Sequence, residues 1–299
     1  MSPGGGRRAA LVLLALSAAC RGVEEGTADG RKAGPGGEGV SVEVRDAEGR
    51  TVVLDGRPDR VLSLVPSATA TLVALGARDR LVGRTDFDTA SVLAGLPSVG
   101  GGLRPSLEAV VSRRPDLVIR FAGESDRTTP ARLDEAGIPH LAVRPESLHD
   151  VRVMIVTLGR LVGKEAAADS ILAVHRRTLD SIRARTAGLP PVRAAFALGG
   201  TPPYVAGATT FVGELIEAAG GTNVFADLDR PWAGVSPEVL VDRAPRVLLV
   251  LEGADLDPRI VRGSDVREVP AFVQLPGPHL DRAALAIARA LRPDRFPAR

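Results

Sequence analysis

The sequence repeats one arrangement of a serine, a glutamate and a proline. Ser106-Leu107-Glu108 is followed by Pro115 and Ser236-Pro237-Glu238 by Pro245, so Ser to Pro is nine positions and Glu to Pro seven in both. A serine ahead of a short apolar run caps a helix, and a carboxylate in the first turn faces the helix's positive end. The spacing places Glu108 and Glu238 at equivalent points of two similar segments. Spacing alone leaves two roles open: docking posts for basic residues of a symmetric partner, or carboxylates that only neutralise their own helix ends.

Catalytic and metal chemistry find little to build on. The four histidines are His140, His149, His175 and His279. His140 lies in a strand-like run and His175 in a helical one, positions that suit structural roles, while His279 precedes the last helix, where it could face a cleft. No spacing of His with carboxylates matches a bare zinc or manganese site. There is no Gly-x-Ser-x-Gly elbow and no His-Glu-x-x-His pair. Gly100-Gly101-Gly102 lacks the Lys-Ser/Thr of a phosphate loop and the spacing of a dinucleotide fingerprint. It reads as a tight turn or as a close approach of backbone to a ligand. The expectation is a binding protein, not an enzyme, with no cofactor of its own.

Composition narrows the partners. Thirty-eight basic and 36 acidic residues leave a formal charge of +2, with no basic tract of the kind a nucleic-acid groove needs. A chain of 299 residues with 44% hydrophobic content is long enough for two lobes. Arg7 and Arg8 precede an apolar run, Ala9 to Ala19, that is too short to span a bilayer but suits an export signal. It ends in Leu16-Ser17-Ala18-Ala19-Cys20, which resembles the bacterial lipoprotein signal and implies lipidation of Cys20; a conventional secretion signal with an incidental cysteine is the alternative. Cys20 is the only cysteine, so neither an intrachain disulfide nor a thiolate cage can form. From Arg21 to Gly39 the chain is rich in glycine and charge, the composition of a flexible tether.

The elements that must position these residues follow from periodicity. A hairpin is expected about Asp46 to Gly49, then a core strand Val61 to Val65 broken by Pro66-Ser67 and a helix closed by Gly76. A strand that ends in small polar residues at a helix start lies where open α/β folds bind ligands, so Ser67 and Thr69 are pocket residues or helix caps. Phe87 either stacks on a ligand or anchors its loop. Strands at Leu117 to Ile119 and Ile138 to Val143 alternate with helices, which predicts a mainly parallel sheet. A second run of the same grammar begins at Val192. Between the two lies Glu165 to Ala187, with Ala168, Ile171, Leu172, His175, Leu179 and Ile182 on one stripe.

The predicted fold is therefore α/β: two lobes with mainly parallel central sheets joined by a single long backbone helix. The expected boundaries are a signal peptide over 1–19, a tether over 20–39, an N-terminal lobe over 40–163, the connecting helix over 164–188 and a C-terminal lobe over 189–299.

These residues resemble the periplasmic binding proteins that feed metal-chelate importers, in the class with two lobes and a rigid connecting helix. The resemblance is carried by Arg60 to Thr69, Leu81-Val82-Gly83, Ser106-Leu107-Glu108 and Pro115 to Ile119. In the second half it rests on Pro202-Pro203-Tyr204, Gly220 to Phe225, Pro231-Trp232 and Val235 to Glu238. Within the family, the members that bind vitamin B12 are the most similar.

The resemblance implies a ligand cleft between the lobes walled by Pro66, Ser67, Phe87, the Gly100 to Gly102 turn and Trp232. It also implies that Glu108 and Glu238 meet arginines on an ABC permease dimer served by a cytoplasmic ATPase. The expected state is a monomeric lipoprotein, anchored on the extracytoplasmic side of a membrane, that carries a small metal chelate. Cobalamin is the expected ligand. The aromatic-rich passage those members carry after Gly83 is reduced here to Phe87, and Gly102 stands where they present a tryptophan. Haem, with Tyr204 or a histidine as axial ligand, and a ferric siderophore facing a positive group are the alternatives. An exported sensory or scaffold domain is a further one.

Overall fold

Short β-branched runs between glycines and prolines build the strands, and runs with helical spacing build the layers that cover them. The computed structural model describes residues 41–123, 128–255 and 263–297. The segments expected to be a signal peptide and a tether, with Cys20, lie outside the described residues.

The described residues open on an antiparallel hairpin, β1 (Val42–Arg45) and β2 (Thr51–Leu54), whose side chains alternate between buried and exposed. The first lobe then runs β3 (Val61–Ser63), α1 (Pro66–Ala74), β4 (Leu81–Gly83), α2 (Leu107–Ser112), β5 (Leu117–Phe121), α3 (Thr128–Glu135), β6 (His140–Val143) and α4 (Leu148–Val162). Its four strands are parallel in the order β4-β3-β5-β6. The long helix α5 (Glu165–Thr186) follows a left-handed cap at Gly163.

The second lobe comprises β7 (Val192–Ala197), β8 (Tyr204–Ala206), α6 (Phe211–Ala218), β9 (Gly221–Asn223), β10 (Trp232–Gly234), α7 (Pro237–Asp242), β11 (Val247–Leu251), β12 (Asp265–Val269) and α8 (Leu280–Leu291). β9, β7, β11 and β12 are parallel, while β8 and β10 add an antiparallel extension. Trp232, which the sequence suggests lies in a loop, starts β10 opposite Ala206. Three-residue strands such as β9 and β10 carry too little alternation to be read without their partners.

Alternation along the central strands divides the core into layers. Val61, Leu117 and Ile119 join Ala194, Phe196, Val247 and Leu249 in one continuous core, together with residues of α1, α4, α5, α6 and α8. Their neighbours along the strands are buried on the opposite faces: Leu62 and Val118 pack with Val110 of α2, and Ala195 and Leu248 with Leu240 of α7. α5 thus connects the lobes inside a shared helical layer, burying Ala168, His175, Leu179 and Ile182.

The hairpin seals the open edge of β6, which would otherwise offer unpaired backbone groups. Ala47 N donates to Ala142 O at 2.9 Å. Arg120, only 2% exposed, donates to both oxygens of Glu48 at 3.0 and 2.6 Å. Beside them His140 Nδ1 accepts from Arg120 Nε at 3.0 Å and Arg50 Nη2 at 2.8 Å, leaving Nε2 to donate to Asp134 at 3.1 Å. Burial first, then the two arginines, lowers the His140 pKa and keeps this ring neutral.

Candidate functional site

Parallel strands bring their carboxyl ends to one edge, where loops can converge on a ligand. A cavity of about 690 Å³ lies there, between the lobes. The first lobe supplies Pro66 and Ser67 after β3, Phe121 and Ala122 at the end of β5, and Val143 to Glu146 at the end of β6. The second lobe supplies Ala271, Phe272, Gln274, Leu275 and Pro276, which follow β12. The volume falls within the range of small-molecule sites.

Three of the chain's seven phenylalanines, Phe87, Phe121 and Phe272, line this cavity. Phe87 is 69% exposed, a cost in water that a ligand face would relieve. Its turn is held by Asp88, whose Oδ2 accepts from both Thr85 N and Thr85 Oγ1 at 2.8 Å. Phe272 has the Arg282 guanidinium 4.8 Å from its ring centroid, a cation–π contact.

The back of the cavity is braced where the lobes meet. Gly277 lies so close to α1 that an added Cβ would stand 3.2 Å from Ser67 O. One residue on, Pro278 O accepts from His175 Nε2 of α5 at 2.9 Å. Burial holds the His175 pKa below its ordinary value, and the neutral ring still supplies this donor.

The candidate residues separate in the structure. Pro66, Ser67 and Phe87 come together on the cavity wall. Thr69 is buried in α1, where Oγ1 donates to Val65 O at 3.3 Å; no side chain caps that helix. The Gly100 to Gly102 turn stands behind the rings. A Cβ on Gly102 would come within 2.2 Å of Leu64 O and 3.4 Å of Phe121 Cε2, and one on Gly101 within 3.8 Å of Phe87 Cε2. The close approach is to the protein's own backbone.

Tyr204 and Trp232 belong to the β8–β10 ribbon and do not line the cavity. Trp232 meets Phe196 edge-on at 6.1 Å, and Tyr204 is 52% exposed. His279 is exposed at the start of α8. Among the described residues, no group of three or more His, Cys, Asp or Glu could hold a metal ion.

Glu108 and Glu238 are exposed in the first turns of α2 and α7. Ser106 Oγ accepts from Ala109 N at 3.3 Å and Ser236 Oγ from Val239 N at 3.4 Å, the same cap in each lobe. Each helix then ends in a left-handed residue before proline, Arg114 at φ 45° and Ala244 at φ 44°. The matching Ser-to-Pro spacing is therefore a six-residue helix with a defined stop at both ends.

Sequence reading missed Phe121, the Arg144-Pro145-Glu146 segment and the whole 271–276 wall. The first two carry a signal, since they lie at the carboxyl ends of apolar strands, as Ser67 does.

A family model described as periplasmic binding protein matches residues 61–273. The chain is 37% identical over 221 residues to a cobalamin-binding protein of Halobacterium salinarum, an alignment covering 70% of this chain and 58% of that one. This chain thus spans just over half the length of that relative. Among solved structures, a periplasmic heme-binding protein from Roseiflexus sp. RS-1 in apo form superposes with a TM-score of 0.65 at 26% identity, over 79% of this chain and 99% of that one. The structure of an ABC-type Fe3+-hydroxamate transport system from Saccharomonospora viridis gives a TM-score of 0.67 at 26% identity, over 86% of this chain and 99% of that one.

Proposed function

The chain belongs to the periplasmic binding protein family, and on that premise we propose that it captures a corrinoid between its lobes and delivers it to an ABC permease. Membership in this family makes it a binding component of transport, not a catalyst. The proposed location is extracytoplasmic, with the chain held at the membrane through lipid on Cys20. The proposed partners are a permease dimer and its ATPase, met through Glu108 and Glu238.

The observation that carries the ligand class is the set of three phenylalanines around one interlobe cavity, in a chain whose aromatic content is only 3%. Flat apolar faces suit a macrocycle, and each aromatic contact is worth about 1 kcal/mol beyond the area it buries. Ser67 and Glu146 from the first lobe and Gln274 from the second can hydrogen-bond amides at a corrin's periphery. The resemblance to a cobalamin-binding relative at 37% identity points the same way.

Haem is the second reading, favoured by the likeness to a heme-binding structure at 26% identity. Against it, no His, Tyr, Cys or Met is among the described residues that line the cavity, so they offer iron no axial ligand of the usual kind. A cobalamin brings a lower axial base of its own and needs none. A ferric siderophore would rely on Arg144 instead.

Titration of the purified protein with cyanocobalamin, dicyanocobinamide, haem and ferric chelates, followed by absorbance and calorimetry, tests this. Corrinoids should bind at least about tenfold more tightly than the others. Tighter binding of haem or a ferric chelate would replace the corrinoid reading.

A further inference from the structure

Among the described residues that line the cavity, Arg144 is the only cation and Glu146 the only anion. Both leave the carboxyl end of β6, where Glu146 N donates to Arg144 O at 2.9 Å about the buried Pro145. Elsewhere around this strand end the carboxylates are engaged. Glu48 accepts from Arg120 and from Gly123 N, Asp46 from Arg50, and Asp150 from Ser147. The guanidinium of Arg144 lies beside the end of β5, since a Cβ built on Gly123 would be 3.9 Å from Arg144 Nη2. Among the described residues it forms no ion pair.

A guanidinium is a planar fork with a permanent charge, matched to phosphate and carboxylate oxygens. At the edge of a partly enclosed cleft it gains more from an anion than it would in open water. Glu146, the other charged side chain among the described residues that line the cavity, repels an anion, so the favourable contact is with the Arg144 guanidinium itself.

We propose that Arg144 is a specificity-determining residue, selecting macrocyclic ligands that carry a phosphate or carboxylate group at the rim of the cleft. The inference rests on the reading of this cavity as a macrocycle site. Cobalamin meets the requirement through the phosphodiester of its nucleotide loop, which cobinamide lacks. Haem meets it through its propionates, which its dimethyl ester masks.

The test compares wild type, Arg144→Gln and Arg144→Lys against both pairs: cyanocobalamin with dicyanocobinamide, and haem with its dimethyl ester. Arg144→Gln should weaken the anionic member of the bound pair about tenfold and leave the neutral member within about twofold, as expected for a charge-assisted hydrogen bond. Arg144→Lys should recover part of the loss, and added salt should weaken the wild type more than Arg144→Gln. Equal losses for both members, or none, would overturn the inference even where corrinoid binding stands. Dependence on Arg144 within the haem pair alone would remove the corrinoid reading and keep the inference. If wild type binds neither pair, both fall.

Discussion

Arg60 and Arg193 grip the same pair of carbonyls, each in its own lobe. Arg60 donates from Nε to Arg114 O at 2.9 Å and from Nη2 to Arg113 O at 2.6 Å. Arg193 donates from Nε to Ala244 O at 3.4 Å and from Nη2 to Arg243 O. Both side chains satisfy carbonyls that a helix end leaves without partners, and both bring positive charge to the negative end of α2 or α7. The internal repeat seen in the glutamates thus extends to the device that holds their helices.

Helices of six residues have little stability of their own, so these clamps should matter locally. Arg60→Ala should cost about 1–2 kcal/mol and raise amide exchange in α2 while leaving α7 unchanged. Arg193→Ala should do the reverse. Exchange rates that move in neither helix, measured by mass spectrometry, would count against the clamp.

Acid should loosen the hairpin. The hydrogen bonds from Arg120 hold the Glu48 carboxyl down at about 2, against an ordinary value of 4.5, in spite of an opposing contribution from burial. A carboxylate with a depressed pKa contributes stability that is complete above the unfolded value and is lost as pH falls through the folded one. Glu48→Gln should therefore lower stability by about 2 kcal/mol at pH 7. The gap to wild type should narrow between about pH 4.5 and pH 2 in urea titrations.

Glu214 behaves in the opposite sense. Its Oε2 accepts from Leu148 N at 2.9 Å, joining α6 of the second lobe to the start of α4 in the first. Burial, the leading cause, raises its pKa. Stability contributed by a raised carboxyl is present below its unfolded value and declines as pH rises through the folded one. Glu214→Gln keeps the acceptor without the charge, so it should equal or exceed wild type at pH 7 and flatten that decline. Glu214→Ala should lose about 1 kcal/mol. Thermal melts from pH 4 to 8 separate the three.

The cleft rings can be tested without a folding penalty at Phe87, the most exposed of them. On the proposed macrocycle reading, Phe87→Ala and Phe272→Ala should each weaken ligand binding about tenfold. Gly102→Ala should act at a distance: its Cβ would collide with Leu64 O, displacing the turn behind Phe121 and costing about 1–3 kcal/mol. Calorimetric titration with dicyanocobinamide reads the affinities, and unchanged values for both ring variants would show that the ligand lies elsewhere.

The layers were legible because periodicity is local. α5 was expected at Glu165 to Ala187 and spans Glu165–Thr186, and its apolar stripe is the face it buries. Ser106 and Ser236 announce their caps three residues away. The cleft is different in kind. Its walls come from positions as far apart as Pro66 and Pro276, and a sequence shows no distance between them. Phe272 follows β12 in a short 3-10 turn, Ala271–Gln274, with no period of its own. Arg120 and Glu48 pair across 72 positions, and neither residue type discloses the other. Trp232 was expected at the cleft on family likeness and lies against Phe196, because the β8–β10 ribbon that carries it could not be seen.

One core takes side chains from both lobes, so parting them would expose apolar surface to water. The two lobes should therefore move little relative to each other when a small ligand binds. A change confined to Phe87 and the 271–276 wall would open the cavity while the frame behind them keeps its shape.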